Sequence, residues 1–251
     1  MAKLEQILCF IENAFSVSTF PDYPNALNGL QVSGRDEVAH LGAAVDASEE
    51  TILEAVERGV HLLLVHHGLF WGGLGPITGA RFRKVAALVG GGVGLYSLHL
   101  PLDAHPELGN NALLMGRMGL LPEERFGSFS EIEVGWWGSC SLDRTELLGR
   151  LRDAVEGEAR LIPGGPEKVG RVGVLTGGGA SALSEAAALG LDTLITGEAP
   201  HHAYHEAMEL GLNLLLGGHY GTETFGVKAL AGRLAEEFQL SSEFLDFPTG
   251  L

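Results

Sequence analysis

The chain has 251 residues, enough for one large domain or two intimate halves and well beyond the ~40–70 residues at which folding needs disulfide or metal staples. Hydrophobic residues make up 45% and charged residues 19%, which excludes general disorder. Asp and Glu number 32 against 16 Lys and Arg, and the net charge of −16, with no basic cluster as a local exception, argues against nucleic-acid or anionic-membrane partners.

No apolar run approaches the ~18 residues of a membrane span. The first residues, MAKLEQILCFIENAF, carry Glu5 and Glu12 within an apolar stripe and read as an amphipathic helix over 2–15 rather than an export signal. Cys9 falls within that helix and is expected in the core. Cys9 and Cys140 cannot make a disulfide framework, so a reducing cytoplasm is the expected compartment. Residues 20–35, with Pro21, Pro24 and the Asn28-Gly29 turn signal, read as a loop or hairpin. A strand over His40–Asp46 follows, then a helix over Ser48–Arg58 with Ser48 as N-cap, and a strand over Val60–His66. Thr78–Val89 reads as a helix, Val93–Leu98 as a strand and Gly109–Met118 as a helix.

The bridge over 120–168 holds IEVGWWGS as a strand and Thr145–Val155 as a helix. The second half then repeats the grammar of the first. Val169–Leu175, Leu191–Thr196 and Leu212–Leu216 are strands, and Ser181–Leu189, His201–Leu210 and Glu223–Phe238 are helices. EAVERGVHLLLVHHG and EAAALGLDTLITGEA share one pattern of helix, glycine, strand and polar turn, which suggests a faint internal duplication. Alternation of apolar strands with helices predicts an α/β protein with largely parallel sheets covered on both faces, divided here into halves 1–125 and 126–251.

Ligands of open α/β sheets bind beyond the carboxyl ends of strands. At those ends stand His66 and His67, then His99 and Asp103, then Thr196 to Glu198, then His219 and Glu223. Imidazoles and carboxylates are the donors for Zn, Fe, Mn or Ni. Adjacent strand residues face opposite ways, so His66 and His67 share one ion only if the chain turns at Gly68; otherwise each serves its own. His219 and Glu223 are four apart and share a face once a helix has begun. With Asp103 the set has three nitrogens and two carboxylates. That is too many for one open tetrahedral site and suits two metals with a bridging carboxylate. Two divalent ions on two carboxylates leave a positive pocket, which would draw a small anionic ligand into an acidic protein. Singly, each residue has a plainer reading: a hydrogen-bonded His pair, a turn-forming Asp, a helix-start Glu.

Other patterns compete. His201 and His205 sit at i and i+4, but no Glu between them completes a zinc-protease motif. Gly177, Gly179 and Ala182 match G-x-G-x-x-A between a strand and a helix, with Glu198 placed like a ribose-binding acid. In a chain with 37 glycines a tight βα turn is the plainer explanation. No G-x-S-x-G elbow is present.

The blocks NGLQVSG (28–34), LLLVHHGLFW (62–71), SLHLPLDAHPELGNNALL (97–114), TGE with HH (196–202) and GGHYGTE (217–223) run in order over nearly the whole chain. Together they resemble the NGG-interacting-factor-three-like family, whose bacterial members are often labelled GTP cyclohydrolase I type 2 homologues. The resemblance implies two similar, intertwined three-layer α/β halves with a dinuclear metal site between them. It assigns as ligands His66, His67, Asp103, His219 and Glu223, the set reached from the strand ends. It also implies a ring-shaped homohexamer. Many members carry a domain inserted between the halves, for which the bridge here is too short. The label implies opening of the guanine ring of GTP by metal-activated water. A triphosphate needs cations, and Arg81, Arg83 and Lys84 are the candidates. The expected function is therefore a metal-dependent hydrolase of a small anionic or nucleotide-like substrate. The alternatives are metal storage or delivery, or a partner-binding ring, and a nucleotide binder using the Gly177 turn.

Overall fold

The computed structural model describes residues 1–251. The chain opens with β1 (Ala2–Lys3), α1 (Leu4–Phe15), β2 (Gly29–Val32), β3 (Glu37–Val38) and β4 (His40–Asp46). Then come α2 (Glu49–Glu57), β5 (Leu62–His67), α3 (Gly79–Gly91), β6 (Gly94–Ser97) and the single turn α4 (Leu100–Asp103). The middle holds α5 (Asn110–Arg117), β7 (Glu124–Phe129), β8 (Ile132–Ser139), α6 (Arg144–Val155), β9 (Arg160–Pro163) and β10 (Arg171–Val174). A 3-10 turn (Gly179–Ala182) leads into α7 (Leu183–Ala188), β11 (Thr193–Thr196), α8 (Ala203–Leu210), β12 (Asn213–Leu216) and the short α9 (His219–Thr222). The chain ends with α10 (Thr224–Phe238) and β13 (Ser241–Phe244).

Residues 1–102 with 226–247 form one compact unit, and residues 103–225 with 248–251 form the other. The cut drawn from sequence at 125/126 falls inside β7. The first unit carries a five-stranded sheet ordered β13-β4-β5-β6-β2, with every pair parallel except β6–β2. The second carries a six-stranded sheet ordered β7-β8-β10-β11-β12-β9, parallel across β10-β11-β12 and antiparallel outside them.

The suggested duplication is visible in this topology. Both β4-α2-β5-α3-β6 and β10-α7-β11-α8-β12 lay three neighbouring parallel strands. In each, an earlier strand pairs antiparallel with the last, β2 on β6 and β9 on β12. Each repeat ends in a single helical turn, α4 or α9, followed by a longer helix. That longer helix belongs to the other repeat's unit. Helix α5 counts with residues 103–225, whereas most of α10 counts with residues 1–102.

Local chemistry explains the elements that carry the site. Ser48 caps α2 by accepting the Thr51 N–H at 3.0 Å. Strand β5, LLLVHH, is buried on both faces to His66, as a central parallel strand must be. In the second unit alternate residues feed two cores. Val172, Val174, Ile195 and Leu215 pack with Leu147 and Leu151 of α6 on one face. Leu194 and Leu214 pack with Leu183 of α7 and Ala207 of α8 on the other, giving the expected three layers. No helix is long and apolar enough to cross a membrane.

Three sequence readings are corrected. The stretch 20–35 contains β2, paired with the distant β6. Strands β7, β9 and β13 were not anticipated; β9 and β13 are flanking strands whose partners lie far off in the sequence, and β7 is the outer arm of a tight hairpin with β8. Cys9 is exposed rather than in the core, because the buried stripe of α1 is Ile7, Ile11 and Phe15 and Cys9 falls between those positions.

Candidate metal centre

In the first unit, His66 and His67 close β5 and His99 follows β6. His66 is fully buried, and its Nδ1 lies 2.9 Å from the Leu98 carbonyl oxygen. A carbonyl only accepts, so Nδ1 carries the hydrogen, and in the neutral ring Nε2 carries the lone pair. His67 Nδ1 donates to Asp46 Oδ1 at 2.9 Å, and His99 Nδ1 donates to Asp22 at 2.9 and 3.1 Å. The three rings therefore share one tautomer, held by the Leu98 carbonyl just after β6, by Asp46 at the end of β4 and by Asp22 in the loop between α1 and β2. Their centroids lie 4.8, 4.9 and 5.7 Å apart, with one ring nitrogen from each within 4.8 Å of the others. Nitrogens bound to one ion at ~2.1 Å are at most ~4.2 Å apart, so small ring movements would close this set on a cation.

Gly68 allows the turn after His67. A Cβ there would occupy the space of the Gln31 amide, whose Oε1 accepts the Leu69 N–H at 2.8 Å. Asp22 is nearly buried and accepts from His99, Asn28 Nδ2 and the backbone N–H of Tyr23 and Leu100. Burial pushes its carboxyl up, but the His99 hydrogen bond and charge, with Asn28 and the Tyr23 amide, bring it net below its ordinary range. Trp71 stands edge-on to His99 at 4.7 Å and to His67 at 5.8 Å between ring centroids.

In the second unit, Asp103, His219 and Glu223 gather around the turn at Thr176 and Gly177. Asp103 is buried, with Oδ1 accepting from Asn110 Nδ2 at 2.7 Å and Thr176 Oγ1 at 3.5 Å. Asn111, also buried, donates to the Asp103 and Val134 carbonyls and accepts the Thr176 N–H, joining three segments. His219 opens α9; its Nδ1 lies 3.0 Å from Glu198 Oε1 and its Nε2 3.2 Å from Glu223 Oε2. The hydrogen bond to Glu223 and the two nearby carboxylates outweigh burial and push the His219 imidazole up to about 9. A proton there does what a cation would do, neutralising a buried carboxylate.

The structure thus brings together His66 with His67 in one unit, and Asp103, His219 and Glu223 around one turn in the other. His99 stands among the strand-end imidazoles but outside the five assigned ligands, yet it completes the triad of histidines. Its signal was present in retrospect, since His99-x-x-x-Asp103 repeats the spacing of His219-x-x-x-Glu223 after the equivalent strand.

The competing motifs resolve differently. His201, His202 and His205 are exposed at the start of α8, with the His201 and His205 rings 6.0 Å apart. Two amides of the glycine turn are already engaged. Gly177 N–H donates to Thr222 Oγ1 and Gly179 N–H to Thr196 Oγ1, while Glu198 meets His219. Of the cations considered for a triphosphate, Arg81 donates to the Gly73 carbonyl, Arg83 pairs with Glu49 and Lys84 donates to the Ala47 carbonyl.

Fold and donor set together define an α/β protein of two sheet-based units with histidine and carboxylate groups that could hold a metal ion. Residues 2–249 match the family described as Duf34/NIF3 (NGG1p interacting factor 3), and the chain belongs to that family. It is 42% identical over 251 residues to a GTP cyclohydrolase 1 type 2 homolog of Deinococcus radiodurans, covering 98% of this chain and 94% of that relative. Among solved structures it is similar to the protein ybgI, at TM-score 0.92 and 35% identity, and to TTHA1606 of Thermus thermophilus, at 0.89 and 38%. Each likeness covers 100% of both chains.

Proposed function

We propose that this protein holds two divalent ions, of the Zn, Fe, Mn or Ni kind, on His66, His67, Asp103, His219 and Glu223, and hydrolyses a small anionic or nucleotide-like substrate. The observation that carries this reading is the placement of the proposed ligands at strand ends and turns, His66 and His67 with their Nδ1 hydrogens tied to acceptors, and Asp103, His219 and Glu223 gathered at the Thr176–Gly177 turn. The name of the Deinococcus relative supports a cyclohydrolase-like reaction. When bound, such ions polarise the bond under attack and acidify water toward neutral pH.

The protein's own groups do the rest. The Leu98 carbonyl, Asp46 and Glu198 hold the Nδ1 protons and aim the opposite nitrogens. Asp22 holds the Nδ1 proton of His99 and so fixes that ring with Nε2 as its acceptor nitrogen. Trp71 stands edge-on against His67 and His99 and limits how far their rings can turn.

A second reading, metal storage or delivery without turnover, is favoured by the engagement of Arg81, Arg83 and Lys84 within the protein, which leaves no ready cradle of these cations for a triphosphate. Elemental analysis of the purified protein beside His66→Ala and Glu223→Ala tests the site, with circular dichroism reporting the fold. Loss of metal with retained fold is expected; a wild-type protein that binds no divalent ion overturns the reading. A nucleotide and phosphoester screen on metal-loaded protein separates hydrolase from store. The same reading includes a homo-oligomer, a hexamer by family resemblance, supported by the exposed apolar side chains Leu53, Phe82 and Val89 on α2 and α3.

A further inference from the structure

The glycine turn after β10 has the look of a nucleotide loop, but its contacts serve another purpose. Gly177 has φ +64°, in the left-handed region. A Cβ on it would collide with Glu223 Oε1 and lie 3.1 Å from Glu223 Cδ and 3.3 Å from His219 Nε2. The Gly177 carbonyl accepts the Gly197 and Glu198 N–H groups, both at 2.9 Å, and its own N–H donates to Thr222 on α9. One backbone unit therefore ties the end of β11 to the helical turn that carries His219, and leaves room beside itself for a buried carboxylate. Glu198, fixed to that backbone through its own N–H, then accepts the Nδ1 hydrogen of His219 at 3.0 Å. Carboxylates in this relation to a histidine orient it and raise its basicity toward a metal.

We infer that Gly177 and Glu198 are positioning residues of the His219–Glu223 pair: the glycine makes space for the Glu223 carboxylate, and Glu198 holds the Nδ1 hydrogen of His219 and sets the direction of its ring. The inference rests on the metal-binding reading above for its consequence, though not for its geometry. A side chain at 177 pushes the carboxylate away from His219. Removing the Glu198 acceptor frees the ring to rotate. Gly211 supplies the control, since it has φ +72° and open space where a Cβ would go, so Gly211→Ala carries the backbone strain without the collision.

The experiment strips the full chain with chelator, titrates it with Zn(II) and with Mn(II) against a chromophoric competitor, and follows thermal unfolding alongside. Glu198→Ala is expected to weaken binding about 10–100-fold, with Glu198→Gln, which keeps an oxygen acceptor, returning most of it. Gly177→Ala is expected to weaken binding at least as far, and Gly211→Ala to match wild type. Wild-type affinity in Gly177→Ala and Glu198→Ala, or equal losses in Gly177→Ala and Gly211→Ala, overturns the inference. Crystal structures of the metal-free wild type and Gly177→Ala judge the positioning by itself. A displaced Glu223 carboxylate supports it even if wild type binds no ion, whereas an unmoved carboxylate rejects it whatever the metal result.

Discussion

At the scale of single residues, His219 shows how a buried acid is balanced. Its imidazole is pushed up to about 9, chiefly by Glu223, so near neutrality it carries a proton where the ion is proposed to sit. The raised value stabilises the metal-free fold fully below the ordinary histidine range near 6.5, and that contribution is lost as pH rises through about 9. Metal and proton compete for the same nitrogen, so divalent-ion affinity should climb with pH between 7 and 9. Chelator competition across that range measures it, and a flat profile would contradict it. Asp22 has the opposite sign. Its net lowered carboxyl contributes stability above the ordinary carboxylate range, lost as pH falls below it. Asp22→Ala strands the His99, Asn28 and Leu100 donors and should cost about 2 kcal/mol in urea unfolding at neutral pH. The strand-end donors were legible in the sequence because a polar residue after an apolar run is a local pattern. Asp22, Asn110 and Asn111 were not, because what marks them is a partner set elsewhere in the fold.

Elements divide along the same line. The βα units around β4, β5 and β10 to β12 were readable, since apolar runs, caps and glycine turns are encoded within a few residues. Ser48 is an example, and Ser48→Ala should cost about 1 kcal/mol through loss of the Thr51 bond. Leu151 lies at the centre of the α6 face, fully buried, and Leu151→Ala should cost about 3 kcal/mol, with thermal melts as the check in both cases. Strand β13 could not be read this way. SSEF has no buried residue and becomes a strand by pairing with His40–Ala43, some two hundred positions earlier. Strand β9 likewise owes its state to β12.

On the scale of the whole molecule, the exchange of trailing helices between repeats makes the last elements necessary to the first unit. Helix α10 buries Val227, Leu230 and Leu234, and β13 completes the five-stranded sheet. Truncation after Phe225 should therefore leave a chain that fails to unfold cooperatively, as read by calorimetry; an intact transition would show that residues 226–247 are dispensable. The proposed oligomer is checked by light scattering, where a mass several times 26.5 kDa is expected and a single 26.5 kDa species counts against it. From residue order alone came the alternating α/β grammar, the strand-end histidines and acids, and the duplicated pattern, because these depend on side-chain periodicity and turn chemistry over short spans. Which strands flank each sheet, which repeat lends its helix to the other unit, and that a glycine turn shaped like a phosphate loop cradles a carboxylate instead were decided by packing. Those choices depend on burial and hydrogen-bond partners far apart along the chain, and no local pattern records them.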